Sequence, residues 1–232
     1  MKLHAFMCDA SLCGAEFADT SWAVHREVLA RLWDGDAHEI PPVLLPIAYE
    51  LLGCELLPSE LPDEMYMAFG RGSGKTRFEA VAAVHAWSQD YRERGLAPGS
   101  WATITCHCPS KKQAGEWLDY CRGFIESSPI LSGAVAKVTA ECIESTHFTR
   151  LEVFTSNFRA VRGFTMPLAI IDEAAYLYDE FSAVPDVELR RALLPALARL
   201  RPAGRLLVAS SLHRRAGLMF EMHRRHFARI AA

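Results

Sequence analysis

What the chain lacks narrows its reading before any motif does. No run of eighteen or more apolar residues occurs in its 232 residues, which argues against a helical membrane span. The opening MKLHAFMCDASLCGAEF breaks its apolar stretch at Asp9 and Glu16, so it makes a poor signal peptide. Cysteine numbers only seven, an odd count that suits reduced thiols in a cytosol better than a disulfide framework. Cys106-His107-Cys108 has no second ligand pair at zinc-finger spacing, and Cys8 and Cys13 lie far off in sequence, so buried or reduced thiols are expected there. There is no internal repeat and no low-complexity tract, and no glutamine precedes Gln89.

What is present suits a soluble globular chain. Half of the residues are hydrophobic, enough for a real core in one domain or at most two small ones. The formal net charge of −3 hides an uneven spread. Residues 1–64 hold twelve Asp and Glu against three Lys and Arg, whereas residues 199–232 hold eight Arg against one Glu. Such asymmetry marks either a nucleic-acid or subunit contact or two solvated faces.

Along the chain, residues 20–33 read as a helix capped by Thr20 or Ser21, with Trp22, His25, Leu29, Leu32 and Trp33 roughly on one side. A loop follows, then a short helix within VLLPIAYELLG entered through Pro46. From Met65 strands and helices alternate. Met65–Phe69 is a short apolar strand, and a helix runs from Thr76 to about Arg94, where Gly95, Pro98 and Gly99 stop it. Trp101–Cys108 is a strand rich in β-formers, and Ser110 caps a helix reaching about Glu126. AVAKVTA and RLEVFTS are two strands with a turn between them. Leu168–Asp172 is an uninterrupted apolar run, as a central parallel strand requires. Residues 186–200 are helical, split or restarted at Pro195. Arg205–Ser211 is a further buried strand, and a last helix spans Gly217 to about Ile230. The alternation implies an α/β fold with a mostly parallel central sheet flanked by helices. Residues 1–64 form a helical and loop lead-in packed on a core of residues 65–232, one domain overall.

The segment AFGRGSGKT carries the first chemistry. It follows a strand and opens a helix, the setting a phosphate-binding loop requires, but its first glycine is Gly70, one place later than the usual G-x-x-x-x-G-K-[S/T] spacing. Gly70, Gly72 and Gly74 free the backbone around Arg71 and Ser73 to curl its N–H groups about phosphate oxygens. The helix beginning near Lys75 turns its positive end toward the same anion. Lys75 would reach the β- and γ-phosphates of ATP, and the Thr76 hydroxyl would ligate Mg2+. The alternative is a glycine-rich turn that happens to precede a helix.

The loop needs a carboxylate at the end of another buried strand, and LAIIDEAAYL supplies one. Asp172 can hold the Mg2+ shell and Glu173 can orient the attacking water. Asp172 lies 97 residues after Lys75, leaving room for an intervening strand, assigned to WATITCHC. A P-loop sheet with an intervening strand and a Glu beside the strand-end Asp is the additional-strand type of P-loop NTPase.

GRGSGKT, LAIIDEAAYL and LLVASS in this order, with NFRAVRGFT ahead of the second, resemble the large terminase subunit of tailed phages and prophages, over roughly residues 45–225. The resemblance implies an ATPase that drives double-stranded DNA into procapsids in the host cytoplasm. It implies as partners the portal protein and the small terminase subunit, a homo-oligomeric ring when assembled, and a monomer as the isolated domain. It gives Arg71 a place in a deviant loop, where its guanidinium can bridge phosphate oxygens or couple to a neighbour. Ser210 and Ser211 match the coupling motif that senses the γ-phosphate. Arg162 becomes the candidate arginine finger, with Arg159 the second choice. Two departures stand out. The glutamine expected upstream of the loop to read adenine is missing, with Tyr49 or Glu50 in its region. No length remains for the nuclease domain of a full large subunit, so excision of the ATPase domain is expected.

Two other readings stay open: a helicase-like or other DNA-linked P-loop ATPase, and a nucleotide-switched regulator that is not an enzyme. LSGAV faintly resembles a transport-ATPase signature but lies too far from Asp172. The arginines near the C-terminus, among them Arg214, Arg215, Arg224 and Arg225, can face DNA phosphates or the acidic segment of an adjacent subunit.

Overall fold

The computed structural model describes residues 1–155, 163–177, 185–200, 202–211, 213 and 215–229. Seven strands form one sheet: β1 Glu64–Ala68, β2 Ala102–Cys108, β3 Val135–Val138, β4 Cys142–Ser145, β5 Thr149–Thr155, β6 Leu168–Asp172 and β7 Arg205–Ser210. The helices are α1 Leu3–Cys8, α2 Ala30–Asp34, α3 Leu45–Leu52, α4 Lys75–Trp87, α5 Lys111–Ser127, α6 Pro129–Ser132, α7 Pro185–Leu197 and α8 Leu218–His226. The sheet order is β1-β7-β6-β2-β5-β4-β3. The first four pairings are parallel, and β5-β4-β3 closes the far edge as an antiparallel meander.

The sheet is mostly parallel and flanked by helices, as expected, with one correction. The strand between the loop-bearing β1 and the carboxylate-bearing β6 is β7, and WATITCHC (β2) lies on the other side of β6. Distance in sequence gave room for an inserted strand but did not say which one enters the gap.

Alternate residues of the central strands feed two cores. Ile170, Leu207 and Ala209 join Leu3, Phe6, Trp87 and Trp117 on one face, whereas Ala169, Ile171, Leu206 and Val208 pack with Leu189, Leu193, Leu218 and Met222 on the other. Both faces of β6 are therefore covered, which is why its five residues form an unbroken buried run. Helix α4 is buried from Phe78 to Trp87, so small Ala and Val residues surround it instead of forming one stripe. On α5, by contrast, Ala114, Trp117, Leu118, Cys121, Phe124 and Ile125 recur at helical spacing on one buried side, and Ser110 caps its start.

Four expected elements differ. The helix expected over 20–33 is a 3-10 turn at Thr20–Trp22, a π-helical stretch at Val24–Leu29 and then α2, and its cap is Asp19, which accepts the Ser21 N–H at 2.8 Å. Helix α4 stops at Trp87, not Arg94; the chain turns to bury Tyr91, and only Arg92–Arg94 coils again before Gly95 at φ 95°. The turn expected after β3 holds a strand of its own, β4, whose single fully apolar inward residue, Ile143, gives too short an alternation to read. Helix α7 runs through Pro195 to Leu197, without the ladder bond that a residue with an N–H would make there to Arg191 O.

The N-terminal segment lies on the α4 face of the sheet. Leu3, Phe6 and Met7 enter the larger core, and Arg77 of α4 pairs with Glu16 at 2.8 Å while its guanidinium lies 4.7 Å from the Trp22 ring.

Candidate functional site

β1, β7 and β6 end level with one another. Ala68 pairs with Ser210 and Asp172 with Ala209, so the loop after β1 and the acidic pair at the end of β6 emerge at the same sheet edge. The Phe69 N–H donates to Ser210 O at 3.0 Å and holds the root of the loop to β7.

Within the loop, Gly72 and Gly74 adopt φ 73° and 80°, conformations a side chain would strain. Gly74 stands at the start of α4 and, among the described residues, no side chain caps that helix, so the first-turn N–H groups have no intrahelical acceptor. Ser73 folds back on the loop, its hydroxyl donating to Gly70 O at 2.6 Å. Gly70, Arg71 and Gly72 are exposed or nearly so. Thr76 is half-buried in the first turn of α4, beside Lys75.

Lys75 reaches across to β6. Its Nζ pairs with Asp172 Oδ1 and, at 2.7 Å, with Glu173 Oε1. Burial opposes the lysine charge, but Asp172 and the nearby carboxylates outweigh it and hold the Lys75 pKa above its ordinary value. Burial dominates at Asp172 and raises its carboxyl, with Lys75 pulling the other way. Burial acts on Glu173 too, yet hydrogen bonds from Lys75 and Ser211 leave its pKa below the ordinary value.

Glu173 is the most constrained residue of the site. Its backbone sits at φ 50°, ψ 45°, left-handed for a residue that is not glycine, a conformation that costs about 1 kcal/mol or more. Its carboxylate accepts from Ser211 N at 3.1 Å, Ser210 Oγ at 3.2 Å and Ser211 Oγ at 3.4 Å. The Ala175 N–H donates to the same Ser210 hydroxyl at 3.2 Å. The end of β7 thus grips the end of β6.

Lys75, Thr76, Asp172, Glu173, Ser210 and Ser211 therefore gather at one edge with the glycines of the loop. Arg71 is exposed and makes no hydrogen bond or ion pair among the described residues. Arg162 and Arg159 lie outside the described residues, as does Arg214. Tyr49 and Glu50 sit on α3 with no hydrogen bond or ring contact to the loop among the described residues.

Three further residues belong to this neighbourhood, none of them singled out for it by sequence. His25 Nε2 lies 2.8 Å from Ser73 O, and a β-carbon on Gly74 would come within 2.5 Å of the Trp22 ring. One turn behind Lys75, Glu79 is fully buried, and neither carboxylate oxygen has a hydrogen-bond partner among the described residues. Burial, with Asp172 adding, pushes its carboxyl well above the usual range. A glutamate amid the Ala and Val of α4 was a visible signal; nothing near the motif pointed to Trp22 or His25. A cavity of about 680 Å³, lined by Trp33, His85, Tyr91 and Arg205 among others, opens where β6 and β7 begin, at the opposite edge from this chemistry.

No family model matches the chain, and no curated protein matches it. Solved structures do, among them phage large terminases. The large terminase ATPase domain of Thermus phage P74-26 aligns at TM-score 0.49 and 16% identity over 72% of this chain and 70% of that one. The HK97 bacteriophage large terminase aligns at 0.47 and 17% over 64% of this chain. The large terminase of a thermophilic bacteriophage, solved in complex with ADP, aligns at 0.40 and 15% over 64% of this chain and 33% of that one. This chain spans 29% of the length of the HK97 protein.

Proposed function

We propose that the chain is a P-loop ATPase of the large-terminase type, hydrolysing ATP to move double-stranded DNA. One observation carries the reading: Lys75, at the head of an uncapped helix, meets Asp172 and Glu173 across the cleft between two parallel strand ends. A structural ion pair would not need the positive-φ glycines, the bare helix start and a strained glutamate at the same place.

The residues fit a magnesium–triphosphate. The loop amides from Gly70 to Thr76 and Lys75 would hold phosphate oxygens. Thr76 and Asp172 would be the oxygen donors for Mg2+, which would supply positive charge beside the phosphates. In this state Lys75 occupies both carboxylates, so phosphate would draw Lys75 away and release Asp172. Glu173, its pKa below the ordinary value, is ionised at neutral pH and suited to accept a proton from water. Ser210 and Ser211 fix where its oxygens point. Arg71 and Arg162 are the candidates to offset developing negative charge. The portal and small-subunit partners, the ring and the host cytoplasm follow from the motif resemblance and stand with it.

The test is turnover. Glu173→Gln should abolish ATP hydrolysis while leaving ATP binding in place. Turnover that persists would overturn the role of Glu173, and a wild type without turnover would favour a nucleotide-switched regulator.

A further inference from the structure

One peptide of the loop, Ser73–Gly74, is contacted by a residue from outside the loop. His25 lies in the π-helical stretch Val24–Leu29, and its Nε2 is 2.8 Å from Ser73 O. A carbonyl can only accept, so Nε2 carries the hydrogen. Burial, partly offset by that bond, lowers the His25 pKa and keeps the ring neutral. Its other nitrogen, Nδ1, is buried without a partner. The ring is wedged between Trp22, at 4.8 Å and 62°, and Phe69, at 6.1 Å and 8°, with Phe78 also 6.1 Å away. Ser73 O is thus the sole polar partner this ring has among the described residues.

The consequence lies in the next bond. In a planar trans peptide the carbonyl and the following N–H point in opposite directions. A Ser73 carbonyl drawn toward His25 turns the Gly74 N–H away from it, toward the open side of the loop. Gly74, at φ 80°, is the residue that would let this peptide rotate, since glycine takes either sign of φ at little cost. Trp22 closes over the same glycine. We infer that His25 is a positioning residue that locks the Ser73–Gly74 peptide with its N–H aimed at the anion, so that the N-terminal segment completes the phosphate loop. The inference rests on the nucleotide reading for its purpose but not for its geometry.

The experiment uses the whole 232-residue chain, with a fluorescent (mant) ADP and Mg2+ as probe, and compares wild type, Lys75→Ala, His25→Ala and His25→Gln. The glutamine keeps an N–H donor near the Nε2 position. Affinity should fall about tenfold in His25→Ala, roughly 1.4 kcal/mol, and return to within about threefold of wild type in His25→Gln. Affinity in His25→Ala within twofold of wild type overturns the inference, and so does equal weakening in both variants, which would mean packing alone. Should wild type and Lys75→Ala both fail to bind, the nucleotide reading falls, and the backbone amide signal of Gly74 in ligand-free protein decides the His25 question. That 1H–15N signal should shift or double in His25→Ala and recover in His25→Gln; a signal unmoved in His25→Ala refutes the lock.

Discussion

The Ser211 backbone N–H donates to the Glu173 carboxylate at 3.1 Å, so the glutamate at the end of β6 is aimed by the strand beside it. The Ser210 hydroxyl, which receives the Ala175 N–H, shares its one proton between the same carboxylate oxygen at 3.2 Å and Ser211 O at 2.9 Å. Ser210→Ala should therefore lower ATP turnover about tenfold, the cost of roughly one hydrogen bond to a charged group, with nucleotide affinity nearly unchanged. Steady-state hydrolysis beside a binding titration checks it; equal losses in both would point to a disturbed fold.

Gly74→Ala attacks the loop directly. Its β-carbon would meet the Trp22 ring at 2.5 Å and His25 Nε2 at 3.2 Å, in a backbone conformation of φ 80°. The variant should lose at least about 1 kcal/mol of stability and bind nucleotide poorly. Thermal unfolding and a nucleotide titration measure the two effects, and an unchanged melting temperature would contradict the packing described.

Acid should unfold the protein through its buried histidines. His85 and His107 are depressed to about 4 and about 3 by burial. The unfolded chain protonates them near its ordinary pKa of about 6.5 while the folded one resists, so their stability is full above that value and is lost as pH falls toward 4. His85 alone accounts for about 3 kcal/mol by that point. Urea midpoints between about pH 7.5 and pH 4.5 should fall steadily in the wild type and less steeply in His85→Gln.

Glu79 has the opposite sign. Its folded pKa is raised well above 4.5, so between pH 4.5 and that higher value the unfolded chain releases a proton the folded chain keeps. Stability drains as pH rises through this window. Glu79→Met should be more stable than wild type at about pH 8, and its advantage should shrink at about pH 5. A constant difference at both values would show that Glu79 keeps its ordinary titration.

Arg224 and Arg225 are exposed on the last turn of α8. If they touch DNA, Arg224→Glu/Arg225→Glu should weaken double-stranded DNA binding and flatten its dependence on salt. If they instead meet a neighbouring subunit, the same change should lower ATPase per chain most at low protein concentration. No change in either would leave a solvated face.

Much of this was legible in the residues. The apolar run ending in Asp172-Glu173 set both strand and acidic pair, because a strand buried on both faces admits no alternation. The GSGKT turn set the loop for a local reason, its glycines and the helix it opens. What escaped reading was non-local. That β7 fills the gap between β1 and β6 is decided by pairing among strands far apart in sequence. Trp22 and His25 reach Gly74 and Ser73 from far upstream, out of a stretch whose periodicity suggested one plain helix. Ser210 and Ser211 were placed by motif order, but their grip on Glu173 became visible only with the strand ends level.

The sheet order has a mechanical meaning. The strand bearing the lysine loop and the strand bearing the acidic pair share no ladder of their own; β7 is bonded to both. If nucleotide drew Lys75 away from Asp172 and Glu173, a displacement of β1 relative to β6 would pass through the two ladders of β7. The chain leaving β7 continues to the arginine-bearing α8, so that helix follows in sequence the strand bonded to both sides of the cleft.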